Sequence, residues 1–301
     1  MDGDDGMEFR VRENDDGLTV KTFLKQRCGI SETSLRSAKW NQGILLNGTP
    51  AAVNLRVRFQ DVISVEWIQS SPVYQVQPYD IPLKICYHDE HLMVIDKQAP
   101  LASQSSRNHP DDSLENAVYA YLHCPEDFIY RPVNRLDKGT SGLMVIALTG
   151  YAQHRMQSML HTDSFLREYL AVTEGIPVPA KGTIVSPIRK AEGNTIRREV
   201  HPMGKACMTH YTVLESGKSR SLVRLRLETG RTHQIRVHLA SLSCPVAGDF
   251  LYGTELLELP GRFALHSCEL IFEHPITGKT LSFTSPLPAE IESLLSGSEL
   301  S

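Results

Sequence analysis

The stretch RPVNRLDKGTSGLMVIALT, residues 131–149, passes from a charged, glycine-containing loop directly into an apolar segment. Every side chain in residues 143–148 is apolar, as expected for a strand that is buried on both faces. Burial of such a strand holds the preceding loop in place, so we expect Asp137 to have a fixed position at the edge of the core. A carboxylate there stays ionised and nucleophilic only if a cation offsets its desolvation, and Arg135 or an arginine distant in sequence could supply that charge. The alternative is that Asp137 only shapes the turn by accepting hydrogen bonds from the backbone of residues 139–141.

Other enzyme classes that use similar residues are not supported by this sequence. An aspartic protease needs two Asp-Thr-Gly loops, and neither is present. Ser141 lies in TSGL rather than in the GxSxG motif of a serine hydrolase. The TGKT stretch at residues 277–280 lacks the earlier glycine of a phosphate-binding P-loop, so we interpret it as a hairpin turn. A retaining glycosidase needs a second carboxylate facing the first, and the sequence shows no evident partner for Asp137.

The charge of the chain is unevenly distributed. Its 301 residues carry a net charge of −4 and give a pI near 6.3, which is not typical of a nucleic-acid binder. Between residues 18 and 60, however, seven lysines and arginines stand against a single acid, Glu32. Lys25, Arg36 and Lys39 of this segment could share one exposed face and bind phosphates, although a merely solvated helix face would look the same.

Composition and cysteine spacing bear on the size of the core, the cellular location and the presence of disulfides or metal sites. A hydrophobic content of 41% supports a sizeable core, most simply one large domain and one small one. No apolar run approaches the roughly 20 residues that span a bilayer. The acidic start MDGDDG is unlike a secretory or organellar leader, so we expect a cytoplasmic protein. The six cysteines form no CxxC pair and no zinc-finger spacing, so we expect neither disulfides nor a metal site.

The spacing of apolar residues and turns predicts the domain organisation. Residues 8–70 predict a small α/β module with two helices, the second capped at Ser31 or Thr33, and short strands around the Asn47-Gly48 turn. Proline-rich residues 71–82 indicate a stiff linker.

Strands outnumber helices in the large domain, residues 83–290, which is followed by a tail at residues 291–301. This pattern favours an α+β fold with a mixed, mainly antiparallel sheet and flanking helices over a doubly wound parallel sheet.

The N-terminal module carries a first family resemblance. Residues 17–65, GLTVKTFLKQRCGISETSLRSAKWNQGILLNGTPAAVNLRVRFQDVISV, are similar to the alpha-L RNA-binding module first known from a ribosomal small-subunit protein. The usual Arg-Leu-Asp opening of that module is replaced here by Leu18-Thr19-Val20. The resemblance implies that residues 8–70 bind RNA.

Four motifs of the large domain carry a second resemblance. These motifs have the order and approximate spacing found in the RluA-type pseudouridine synthases. They are PVNRLDKGTSGLMVIA, LREYLAVTEG, TGRTHQIRVHLASL with CPVAGD, and FALHSCELIFEHPITGK. That family isomerises a uridine inside RNA. The bond from ribose to the base nitrogen breaks, the uracil turns, and a carbon–carbon bond replaces it.

This resemblance implies roles for individual residues. Asp137 matches the catalytic aspartate, Tyr169 matches the tyrosine that stacks on the flipped base and helps to remove the proton from carbon five, and Arg231 matches the arginine that pairs with the aspartate. Arg135 matches the position that can enter the gap left in the RNA. Leu265 lines the pocket floor in this interpretation, although a plain core leucine fits equally well.

Several other positions of these motifs are interpreted as structural. They are Gly248, Asp249, Tyr252 and Gly253. His233 and His238 are five positions apart on a predicted helix and point different ways, which favours structural hydrogen bonds over a metal site. The family histidine before Arg-Leu-Asp is Asn134 here, and Lys97-Gln98-Ala99-Pro100 replaces the usual Lys-Pro-Ala-Gly, so the choice of RNA is open.

The sequence therefore predicts an RNA pseudouridine synthase, an isomerase that needs neither cofactor nor metal. Its expected partner is structured RNA, ribosomal or transfer, with no membrane contact, and the chain is expected to act as a monomer. A non-catalytic RNA-binding protein of ribosome assembly that retains the fold is the alternative. A hydrolytic enzyme that releases free uracil is a third possibility.

Overall fold

The computed structural model describes residues 6–30, 35, 38, 43–66, 76–160, 162–193 and 196–296. A first sheet lies within residues 6–66 and a second, larger one within residues 84–284. The first sheet packs on one apolar core, and the second sheet packs on two. No helix in these ranges is long and apolar enough to cross a membrane.

The elements of the first unit are β1 Gly6–Arg10, α1 Val20–Gln26, β2 Ile44–Leu46, β3 Thr49–Pro50 and β4 Val62–Glu66. The sheet is antiparallel and has the strand order β1-β4-β2-β3. A 3₁₀ turn at Glu13–Asp15 precedes α1. The helix begins after Thr19, whose side chain accepts a hydrogen bond from the Thr22 amide at 3.1 Å. The predicted second helix falls largely outside the described residues, but Leu35 and Ala38 are buried in this core.

The second sheet has ten strands in the described residues: β5 Lys84–His88, β6 Leu92–Lys97, β7 Arg131–Pro132, β8 Ser141–Ala147, β9 Phe165–Glu174, β10 Lys181–Val185, β13 Met208–Ser216, β14 Arg220–Leu227, β15 Leu265–Glu273 and β16 Thr280–Thr284. The order along its main path is β10-β13-β14-β9-β15-β8-β6-β5. A separate hairpin joins β11 Ile188–Lys190 to β12 Arg198–Val200. Neighbouring strands are antiparallel except β8 and β15, which run parallel. The predicted mixed, mainly antiparallel α+β fold is confirmed.

Helices cover both faces of this sheet. They are α2 Leu114–Tyr121, α3 Gly150–Met159, α4 Gln234–Ser241 and α5 Ala289–Ser296. The α2 and α4 helices belong to one apolar core and α3 belongs to the other. Ile291 and Leu294 of α5 are buried in the same core as α2 and α4, so the large domain extends into the segment predicted as a tail.

Strand β8 is buried along its whole length, as its apolar sequence predicts. Met144 and Ile146 face the core that contains α2 and α4, whereas Leu143 and Val145 face the core that contains α3. Strand β8 therefore anchors the loop that carries Asp137 between two packed layers.

Gly142 allows β8 to approach β15 closely. Its φ is +108°, and a Cβ atom there would lie 2.2 Å from the Ser267 carbonyl oxygen. We expect Gly142→Ala to lower the free energy of unfolding by at least about 2 kcal/mol, because strand backbone must move to admit the methyl group. Gly150→Ala is the matched control, since a Cβ at Gly150 meets nothing within 4 Å. Urea denaturation of both variants tests this, and equal losses would contradict it.

Candidate active site

Asp137 lies in the loop between β7 and β8, and its side chain is 27% exposed. Thr140 donates its backbone N–H to the backbone carbonyl of Asp137 at 3.0 Å, which closes the turn. The carboxylate of Asp137 takes no part in that bond. It accepts instead a hydrogen bond from Arg236, so Asp137 does more than shape the turn.

Arg236 links Asp137 to a second carboxylate. Its Nη1 donates to Asp137 Oδ2 at 2.9 Å, while Nε and Nη2 donate to the two oxygens of Asp249 at 2.6 and 2.8 Å. The Arg236 side chain is 3% exposed and that of Asp249 is fully buried. Burial alone would lower the pKa of Arg236, but its bonds to Asp249 and Asp137 raise it, so the guanidinium remains charged. This carboxylate–guanidinium–carboxylate chain fixes the position of Asp137 and places a cation beside it.

The structure corrects the predicted ion pair of Asp137. The resemblance assigned it to Arg231, but the guanidinium that pairs with Asp137 belongs to Arg236, five positions later in the same motif. Arg231 is exposed, and its Nε donates to the Ala206 carbonyl at 3.5 Å. One signal for Arg236 was present in the sequence. It stands between Ile235 and Val237, and a charge inside an apolar helical segment is buried only when it is paired.

A cavity of about 60 Å³ brings the predicted residues together. Its lining includes Asp137, Tyr169, Arg231, Arg135 and Leu265. A volume of this size has room for only a few water molecules. The predicted substrate residues of the large domain thus share one site, and their catalytic roles remain predictions.

Tyr169 projects from β9 and is almost completely buried, which raises the pKa of its hydroxyl above the ordinary value. Its phenol is therefore protonated at neutral pH. Leu265, at the start of β15, is buried beside it, whereas Arg135 is exposed at the rim. The side chains thus provide an apolar floor, an aromatic wall and a charged entrance.

The remaining predicted RNA contacts lie in the first sheet unit. Lys25 is exposed on α1, as predicted. Arg36 and Lys39 lie outside the described residues. Their roles therefore stay predictions.

Two histidines of the same motif have different environments. His238 is fully buried and bonds to Thr209 Oγ1 at 2.8 Å and to the Ser186 carbonyl at 2.9 Å, as expected for a structural residue. His233 instead lines the cavity, and its Nε2 lies 3.9 Å from Asp137 Oδ2. Sequence reasoning did not assign His233 to the site. In the described part of the chain, no group of three or more histidine, cysteine or carboxylate side chains is placed to hold a metal ion.

Lys97 is a buried cation next to the Asp137 loop. Its Nζ donates to the carbonyls of Leu101 and Gln98 at 2.7 and 3.1 Å, and Leu101 in turn donates to the Lys138 carbonyl. Burial lowers the pKa of Lys97 to about 7, although nearby Asp137 raises it. Lys97 is therefore held in the core by backbone carbonyls and can lose its charge near neutral pH.

We expect this lysine to make stability depend on pH. The pKa of Lys97 is lower in the folded chain than the ordinary 10.5. Burial of the charged lysine therefore destabilises the fold fully below about pH 7, and this destabilisation is relieved between pH 7 and 10.5. The free energy of unfolding of the native sequence should gain up to about 1.4 kcal/mol per pH unit relative to Lys97→Met in that window. Urea unfolding at pH 7 and pH 9 measures this, and parallel changes in the two proteins would contradict it.

The fold and the cavity define an enzyme site built on a mainly antiparallel sheet, with one paired carboxylate facing an aromatic wall. Residues 91–241 match the family described as RNA pseudouridylate synthase. The chain belongs to this family, which confirms the resemblance of the large domain. It is an RNA pseudouridine synthase, an isomerase that converts uridine in RNA to pseudouridine.

Relatives agree with this assignment over most of the chain. An uncharacterized RNA pseudouridine synthase of Bacillus subtilis, YjbO, is 36% identical over 93% of this chain and 99% of its own length. Ribosomal large subunit pseudouridine synthase D of Xanthomonas campestris is 36% identical over 84% of this chain and 80% of its own. The solved structure of human RNA Pseudouridylate Synthase Domain Containing 4 has a TM-score of 0.57 and 26% identity, covering 71% of this chain and 93% of that one.

Proposed function

We propose that Asp137 is the nucleophile of this isomerase and that its substrate is a uridine of large-subunit ribosomal RNA. The observation that carries the first part is the placement of the Asp137 carboxylate, which is partly exposed in the cavity and paired with a buried guanidinium. The substrate is proposed because a relative with 36% identity is named as a synthase of the large ribosomal subunit. Transfer RNA is the second candidate, and a cytoplasmic location belongs to the same proposal.

The cavity supports this chemistry in three ways. Arg236 places an almost fully buried positive charge 2.9 Å from the Asp137 carboxylate, where the attraction is screened less than at an open surface. The ring of Tyr169 offers a face against which a flipped uracil can stack. Exposed Arg135 at the rim can enter the space that the uridine leaves in the RNA.

Entry of the nucleoside must widen the cavity. The present volume of about 60 Å³ holds only a few water molecules. Arg135 and Arg231, which are both exposed lining residues, are the side chains that can move most easily. Base flipping costs a few kcal/mol, and stacking on Tyr169 together with phosphate contacts elsewhere offsets that cost.

The direct test is to map pseudouridine in cellular RNA with and without the gene for this chain. We expect at least one site in large-subunit ribosomal RNA to be lost and to be restored by the native chain but not by Asp137→Asn. Restoration by Asp137→Asn would show that Asp137 is not the nucleophile. Release of free uracil would support the hydrolytic alternative.

The N-terminal module, residues 8–70, is proposed to bind RNA phosphates. Lys25 on α1 is exposed and could contact them, and linker residues 71–82 would join the module to the catalytic domain. We expect removal of residues 1–70 to weaken RNA binding and to reduce the slope of log Kd against log salt concentration by about one unit per lost phosphate contact. Filter binding at several salt concentrations measures both, and an unchanged slope would exclude the module from RNA binding.

A further inference from the structure

Uridine isomerisation requires a proton transfer that Asp137, as the nucleophile, and Arg236, as its cation, do not provide. Carbon five of the uracil loses a proton after it bonds to the ribose, and nitrogen one gains a proton. Tyr169 is a poor acceptor at neutral pH, because burial raises the pKa of its hydroxyl. A neutral histidine that faces the same cavity would be a stronger base than this phenol.

His233 has the position of such a base. Its Nε2 lies 3.9 Å from Asp137 Oδ2, which is beyond hydrogen-bond range, so this nitrogen is not committed to the carboxylate. Its backbone is left-handed, with φ 59° and ψ 19°, immediately before α4. Non-glycine residues rarely adopt this conformation, and such strain is concentrated at functional sites.

Tyr252 holds the other ring nitrogen of His233. His233 Nδ1 and Tyr252 Oη form a hydrogen bond of 2.8 Å. The Arg198 backbone amide also donates to Tyr252 Oη at 2.8 Å. The phenol oxygen can accept both bonds when the histidine proton is on Nδ1. In that tautomer the lone pair of Nε2 is free to take a proton inside the cavity.

His233 is buried and has charges of both signs around it. Burial lowers its pKa below the ordinary 6.5, Asp137 and Asp249 raise it, and Arg236 and Arg198 lower it. The ring is therefore neutral at pH 7 and can act as a base, and the nearby carboxylates stabilise the imidazolium that forms.

We propose that His233 is a catalytic base that removes the proton from carbon five of the rotated uracil. This inference rests on the proposed function. The proton moves to Nε2, and the electron pair of the broken carbon–hydrogen bond forms the double bond between carbon five and carbon six. The double bond between carbon six and nitrogen one opens onto nitrogen one, which takes up a proton. One proton is lost and one is gained, so the imidazolium can return its own and no co-reactant is needed. Tyr252 is a positioning residue in this scheme.

The test compares His233→Asn with the native sequence on two RNAs made by transcription of large-subunit ribosomal RNA. One carries uridine with tritium at carbon five, and the other carries 5-fluorouridine, which has no proton at that carbon. Asparagine tolerates the left-handed backbone and cannot act as a base at neutral pH. We expect tritium release to fall by at least about 100-fold. Consumption of 5-fluorouridine RNA should stay within about 3-fold, because the missing step is not needed there.

His123→Asn is the matched control, because His123 is also left-handed, with φ 62°, but is exposed outside the cavity. It should leave both rates unchanged. Tyr252→Phe should slow tritium release selectively, by about 10-fold, and it serves as the second variant if His233→Asn does not fold.

The outcomes separate this inference from the proposed function. Native tritium release by His233→Asn, or equal slowing on both RNAs, would overturn the role of His233. If the native chain released no tritium from ribosomal or transfer RNA, the proposed function itself would fail.

Discussion

Asp137→Asn should abolish isomerisation, with a loss of at least about 1,000-fold in kcat, while RNA affinity stays within a few-fold. Asparagine has the size of aspartate but is neither nucleophilic nor charged, so the cavity keeps its shape and loses its reactive group. Single-turnover assays on labelled RNA measure the rate, and filter binding measures the affinity.

Asp127→Asn is the matched control, because Asp127 is an exposed carboxylate outside the cavity. It should retain native activity. Substantial turnover by Asp137→Asn would show that the reaction does not depend on this carboxylate as a nucleophile.

We expect Arg236→Met to lower both the free energy of unfolding and the catalytic rate. Loss of the guanidinium leaves the fully buried carboxylate of Asp249 without its cation, and we expect the free energy of unfolding to fall by about 3–5 kcal/mol. Activity should fall at least about 100-fold, because Asp137 also loses its charge partner. Urea denaturation and the tritium assay measure the two losses.

A double variant separates the two effects. Arg236→Met with Asp249→Leu removes the stranded charge, and apolar replacement of a buried pair is often neutral for stability. We expect stability to recover and activity to stay low. Recovery of both would show that the guanidinium is not needed for catalysis. Arg231→Met is the control for stability, since exposed Arg231 should change it by less than about 0.5 kcal/mol.

The large domain was predictable because its strands have strong local signals. Residues 143–148 had to be buried on both faces, and the structure buries all of β8. The mainly antiparallel pairing could be predicted because the sequence contains many short strands separated by turns. The parallel pairing of β8 with β15 could not be predicted, because it joins segments more than 100 residues apart and depends on the absence of a side chain at Gly142.

The site was predictable only in part. Asp137, Tyr169 and Leu265 were expected near one another, and they line one cavity. The arginine was misassigned because the apolar neighbours of Arg236 indicate burial only once α4 is known to begin after Arg231. Asp249 and Tyr252 were interpreted as structural, yet they hold Arg236 and His233, the two groups next to Asp137. Such contacts depend on tertiary geometry, which no spacing rule encodes.

The charge partner of Asp137 follows it by 99 residues, and the carboxylate that anchors this partner comes later still. During translation Asp137 therefore leaves the exit tunnel well before Arg236 and Asp249 have been synthesised. A nascent chain that ends before residue 236 carries the Asp137 carboxylate but not the ion-pair chain that orients it. The ion-pair chain that positions Asp137 can therefore form only after residue 249 has been synthesised.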